Sequence, residues 1–133
     1  MTKVFSSIGK ELYKIEIKSP SGNVVISDEP IDSGGKDKGF SPFELLVSAL
    51  AACTSATVRM YADRKGWELN EIKTEIEMER DEAANKTTFT RKIDFIGNLS
   101  QEQIARLLAV ANACPVHKIL SNQIEINTTA NVL

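Results

Sequence analysis

The sequence predicts an α+β domain in which antiparallel sheets pack around one long central helix bearing a cysteine. Three observations carry this. Residues 41–66 form an almost wholly apolar helical segment, paired alternating segments flank it on both sides, and a second capped helix follows.

The first strand signals lie at 3–7, at 13–18 and at 23–27. Tyr13, Ile15 and Ile17 alternate with Lys14, Glu16 and Lys18, as in a strand with one face buried. Ser19, Pro20, Ser21 and Gly22 turn the chain, so an N-terminal antiparallel meander is expected. Residues 30–39, with Gly34 and Gly35, read as a loop long enough to frame a binding site.

Ser41 then serves as N-cap, Pro42 suits the first helical position, and Glu44 completes a capping box. Arg64 and Lys65 oppose the negative end of the helix dipole, and Gly66 suits a left-handed stop. The helix should be about 35 Å long. From Leu45 to Val58 no polar side chain exceeds Ser or Thr in size, so no face is left for water and a partner subunit is expected to enclose it. A membrane span is disfavoured because the apolar run falls short of the roughly 20 residues needed and charges bracket it.

After the helix, Ile72, Thr74, Ile76 and Met78 alternate with Lys73, Glu75, Glu77 and Glu79 in a strand with an acidic outer face. A turn at 81–86 leads to a partner strand at 87–96, with Phe89, Arg91, Ile93 and Phe95 on one side. Ser100 and Gln103 form a second capping box, opening a helix to about residue 113 whose apolar stripe is Ile104, Leu107, Leu108 and Ala111. Cys114 and Pro115 interrupt it, a short helix covers 115–120, and 123–129 alternates Ile124 and Ile126 into a last strand. With no repeat and no linker, residues 1–133 read as one domain.

Sixteen basic and eighteen acidic side chains give a net charge of -2 without any basic cluster, so neither nucleic acid nor an anionic membrane surface has an electrostatic footprint. The N-terminus lacks the apolar run of a secretory signal, which places the protein in the cytoplasm with its cysteines reduced. Cys53 and Cys114 show neither a disulfide framework nor a zinc-site spacing, leaving buried packing or redox chemistry. Small neighbours around Cys53 would let a substrate approach its sulfur, though a buried structural cysteine has the same surroundings. Cys114 precedes a helix start, where a thiolate is favoured or where the sulfur simply caps the turn.

His117, the only histidine, follows Cys114 by three residues and is either a general base or ordinary helix surface. No metal site is expected from these ligands. Glu44 falls about 180° round the helix from Cys53, so its cap role explains it without chemistry. Arg91 is the one cation whose strand parity suggests burial.

The two cysteine segments together, SPFELLVSALAACTSATV and later ACPVHKIL, resemble the OsmC/Ohr family of osmotically inducible and organic hydroperoxide resistance proteins. The resemblance spans nearly the whole chain and looks most like the OsmC-like branch typified by YhfA. It implies an intertwined α+β homodimer and a thiol-dependent peroxidase acting on organic or hydrogen peroxide. By the same resemblance Cys53 is the peroxidatic thiolate and Cys114 the resolving thiol. No bound cofactor is implied; a dithiol or lipoyl-type reductant would restore the pair. The alternative is a non-catalytic protein on the same scaffold that binds a small apolar ligand or senses oxidation.

Two positions depart from the hydroperoxide-resistance branch. Its acidic residue directly follows the proline, where this chain has Phe43, and Glu44 stands one step further round. Its activating arginine comes from the N-terminal strands, whereas no arginine precedes Arg59 here. Arg91, or Lys36 or Lys38 from the glycine-rich loop of a partner subunit, are the candidate replacements, and Phe43 would line an apolar pocket.

Overall fold

The computed structural model describes residues 1–133, which form two compact units, Met1–Ser48 and Ala49–Leu133. The first holds an antiparallel meander of β1 (Phe5–Ser7), β2 (Ile15–Lys18) and β3 (Val24–Ser27), as the alternation predicts. β2 and β3 pair Ile15 with Ser27 and Lys18 with Val24 across the turn centred on the Ser19–Gly22 hydrogen bond. The glycine-rich segment is not featureless. It contains a 3-10 turn, Ile31–Ser33, and is gathered on Asp28.

Asp28 is buried, and its carboxylate accepts the backbone N–H groups of Tyr13 (3.2 Å), Glu29 (2.7 Å), Lys36 (3.3 Å) and Lys38 (3.2 Å). Burial alone would push this carboxyl up. The four amide donors outweigh it and hold the group below its ordinary range, because each favours the ionised form.

The long helix α1 (Pro42–Lys65) runs from the first unit into the second. Its capping box forms as expected: the Ser41 N–H donates to Glu44 Oε1 at 2.9 Å and the Glu44 N–H to Ser41 Oγ at 3.1 Å. Gly66 follows with φ of 69°. Only one stripe of α1 is buried, Leu50, Thr54, Val58 and Ala62, at the four-residue spacing that keeps side chains on one helix face. The expectation of a helix enclosed on all sides is therefore not met within one chain: Phe43 is 70% and Met60 62% exposed. By length and by a mean hydropathy of 1.4 in its most apolar window, α1 would suffice to cross a membrane, further than its short apolar run suggested. Its buried stripe packs instead into the core of the second unit.

That core joins Val58 and Ala62 to Leu69, Leu107 and Ala111, with Trp67, Ile72, Ile93 and Phe95 against them. Full burial of one such aliphatic side chain contributes roughly 1.5–3 kcal/mol. The hairpin of β4 (Glu68–Asp81) and β5 (Lys86–Asn98) supplies one wall and is longer at both ends than the alternation indicated. Its register pairs Ile72 with Phe95, Thr74 with Ile93, Ile76 with Arg91 and Met78 with Phe89, which sets Arg91 on the inward face. A bulge between Leu69 and Glu71 lies opposite Gly97, where a Cβ would clash with the Glu68 carbonyl oxygen. Arg59 pins the strand start to α1 through the Leu69 carbonyl at 2.6 Å.

The second wall is α2 (Gln101–Ala111), opened by the Ser100–Gln103 capping box and ending two residues before the expected 113. Leu107 and Ala111 are buried as expected, but Leu108 is 50% exposed and Val110 packs against the core in its place. The stripe follows the i, i+3, i+7 positions Ile104, Leu107 and Ala111, and Leu108 lies one step off that line. α3 (Pro115–Leu120) matches its expected bounds. The last strand does not form: residues 123–133 pair with nothing in the chain, and Ile126 is 83% exposed. Alternation specifies a face, but a strand also needs a neighbour for its backbone groups.

Because the folded Asp28 carboxyl is held low, its stabilisation is complete above the unfolded carboxylate value of about 3.9 and is lost as pH falls through the lower folded value. Hydrogen-exchange protection of the Tyr13, Glu29, Lys36 and Lys38 amides should accordingly persist at mildly acidic pH and collapse below it, and Asp28→Ala should remove it at neutral pH. Unchanged protection in that variant would refute the role given to the carboxylate.

Candidate active site

Cys53 and Cys114 are brought to one place by two helix segments. Cys53 points from the middle of α1 and is half-buried, whereas Cys114, the residue before α3, is fully buried; both are free thiols. The first turn of α3 serves both sulfurs. The Val116 N–H donates to Cys53 Sγ at 3.4 Å, and the His117 N–H donates to Cys114 Sγ at 3.4 Å. The cap reading of Cys114 is thus realised, and it places the sulfur against a donor.

Burial pushes the Cys114 thiol up. The His117 N–H, the Cys53 and Thr54 side chains and the positive charge of Arg91 more than reverse this, so the thiol titrates below its ordinary range. Cys53 also lies within sulfur hydrogen-bond reach of Thr57 Oγ1 at 3.9 Å.

Arg91 reaches the same place from β5. Its Nη1 donates to Thr54 Oγ1 at 2.9 Å, and its Nη2 donates to Asn112 Oδ1 at 2.9 Å and to His117 Nδ1 at 3.0 Å. Guanidinium has no acceptor atom, so His117 Nδ1 must accept, and the neutral ring carries its proton on Nε2. All three acceptors are uncharged. The ion pairs of the protein are Lys18 with Glu16 and Arg59 with Asp63, so Arg91 has no carboxylate counter-ion.

Thr54 is fully buried and donates its own hydroxyl proton to the Leu50 carbonyl at 2.6 Å, leaving its oxygen free to accept from Arg91. Leu50, Thr87, Phe89, Arg91, His117, Leu120 and Ser121 line a cavity of about 370 Å³ beside this network. No group of three His, Cys, Asp or Glu side chains stands close enough to hold a metal ion.

Of the residues singled out in the sequence, Cys53, Cys114, Arg91 and His117 therefore converge. Glu44 is occupied by its cap with Ser41, Phe43 is exposed, and the Lys36 and Lys38 backbones are held by Asp28; all four belong to the first unit. Thr54 and Asn112 were not anticipated. A polar residue four places after Leu50 on an otherwise apolar stripe was the available signal for Thr54, and adjacency to the Cys114 turn the signal for Asn112.

Two free cysteines thus meet at a helix start, one on a long apolar helix and one before a proline. The family described as OsmC-like protein matches residues 35–129, and the chain belongs to that family. Solved structures share its fold. An OsmC-like protein from Mycoplasma pneumoniae has a TM-score of 0.77 at 20% identity, covering 91% of this chain and 87% of that one. The organic hydroperoxide resistance protein OhrB of Bacillus subtilis has a TM-score of 0.60 at 22% identity, with 90% and 89% covered. An organic hydroperoxide resistance protein OsmC from Legionella pneumophila gives 0.61 at 19% identity, with 90% and 88% covered. No curated protein sequence matches the chain.

Proposed function

We propose that this protein is a thiol-dependent peroxidase that reduces organic or hydrogen peroxide through Cys53 and Cys114. The observation that carries the reading is the meeting of two free thiols beside a cation that has no carboxylate partner. Cys53, the more exposed sulfur, attacks the terminal peroxide oxygen. The O–O bond breaks, Cys53 becomes a sulfenic acid and the alkoxide leaves as alcohol once protonated. Cys114 then attacks the sulfenic sulfur, forming the disulfide and releasing water. An external dithiol, of which a lipoyl group is one example, takes up the oxidation by exchange and restores both thiols. The protein works in the reducing cytoplasm in this reading, and no resident cofactor takes part.

The same reading makes the protein a homodimer. Phe43, Leu46, Ala49, Ala52, Ala56 and Met60 lie exposed along α1. Small residues among them let a second helix approach closely, and a second copy of α1 is the partner that matches this face. Light scattering at micromolar concentration should return twice the chain mass of 14.6 kDa. A mass of one chain would contradict the dimer.

A second reading has one observation in its favour. The cavity beside Arg91 and His117 would also suit a small ligand held without turnover, with the thiols recording oxidation slowly. Rate separates the two. Brief exposure of the reduced protein to one equivalent of cumene hydroperoxide, followed by mass spectrometry, should give a Cys53–Cys114 disulfide within seconds. Cys53→Ser should abolish the reaction. Disulfide formation no faster than the oxidation of an ordinary buried cysteine would move the assignment to the binding or sensing protein.

A further inference from the structure

The two faces of the β4–β5 hairpin differ in charge. The outer parity carries Glu71, Glu75, Glu77 and Glu79 on β4 and Asp94 on β5. From Ile72 to Arg80 and from Thr87 to Phe95, the inner parity carries no acidic side chain at all, and its charged members are Arg80 and Arg91. Arg80 donates to the Thr87 hydroxyl at 3.0 Å and to Asn85 Oδ1 at 2.7 Å, so it too ends on neutral acceptors.

The cavity of about 370 Å³ lies against this acid-free face. Arg91, His117, Ser121 and Thr87 are its polar lining, and Leu50, Phe89 and Leu120 give it an apolar side; neither cysteine lines it, and no Asp or Glu does. Its polar end is rich in donors. A guanidinium has five N–H groups, and Thr54, Asn112 and His117 take three of those on Arg91, which leaves two. His117 Nδ1 accepts from Arg91, so its Nε2–H is a further donor with no acceptor in the protein. The Ser121 hydroxyl gives its proton to the His117 carbonyl at 2.7 Å. A cation half removed from water, without a counter-ion and with donors to spare, is completed by an anion.

We propose that this cavity is a binding site for a monocarboxylate on an apolar body, an acyl or arylalkyl acid, with its head group held by Arg91 and His117 and its body against Leu50, Phe89 and Leu120. One guanidinium beside a neutral ring offsets a single negative charge, which matches a carboxylate better than a phosphate dianion. The volume equals that of about a dozen waters, which suits a chain of medium length. Arg80 adds positive charge at the rim that Thr87 forms, where an incoming anion would first meet the hairpin. The proposal goes beyond the peroxidase reading and does not rest on it, because the ligand touches neither sulfur.

The test is a calorimetric titration of the reduced, full-length protein with octanoate, and with octanol as the uncharged molecule of the same chain length. Octanoate should bind at least about tenfold more tightly, the effect of one charge-assisted hydrogen bond. Amide shifts in the NMR spectrum on adding octanoate should concentrate at residues 87–91 and 117–121. Arg91→Met should weaken octanoate by about tenfold or more and leave octanol largely unchanged, so that a lost head-group contact is told apart from a lost cavity. Should that variant fail to fold, by circular dichroism, Leu120→Glu takes its place: it brings a competing carboxylate to the wall without removing any partner of Arg91, and should cost octanoate more than octanol. No saturable octanoate binding at millimolar concentration, equal affinity for octanol, or a folded variant with unchanged preference for octanoate would overturn the proposal. Cys53→Ser should bind octanoate as the native protein does. No peroxide enters the experiment, so the ligand site and the peroxidase reading stand or fall separately.

Discussion

The buried hydroxyl of Thr54 ties the long helix to the strand that carries Arg91 at the candidate site. It sits in the one buried stripe of α1, where Leu50, Val58 and Ala62 are apolar, and its single proton goes to the Leu50 carbonyl one turn back. Its oxygen also accepts from Arg91 of β5. Helix and strand are joined at this point. Arg91 in turn holds Asn112 and His117, which lie on either side of Cys114 in the chain. The Thr54–Arg91 contact thus adds a polar link between α1 and the hairpin to the apolar packing of Val58 and Ala62 and the Arg59 bond to Leu69.

Much of this architecture is legible in the sequence wherever the signal is local. Ser41 with Glu44 and Ser100 with Gln103 form their capping boxes because each box is closed within four residues. The hairpin faces follow from parity alone, and Arg91 falls inward with Phe89 and Ile93 as its position in the alternation requires. What parity does not contain is the far partner. Thr54 lies 37 residues from Arg91, and only the packed fold brings them together. Leu108 and the segment 123–129 went astray for a related reason. An apolar side chain or an alternating run declares a preference for burial, and whether a surface is there to receive it is a property of the whole fold.

The family resemblance and the physical reading meet most usefully where they differ. The hydroperoxide-resistance pattern implies an acidic residue after the proline and an arginine from the N-terminal strands. Here Phe43 is exposed, Glu44 is spent on its cap, and the cation beside the thiols comes from β5. The fold and the family are thus shared, while the cation near the two sulfurs lies on β5. Arg91 is half-buried, its hydrogen bonds go to neutral acceptors, and no carboxylate of the chain competes for it.

Steady-state peroxide consumption with a dithiol reductant, compared between the native protein and Cys53→Ser, tests the central claim most directly. The account predicts that the native protein consumes many equivalents of cumene hydroperoxide per chain while the variant consumes none beyond the rate of the dithiol alone. Consumption by the native protein at that same background rate would contradict it.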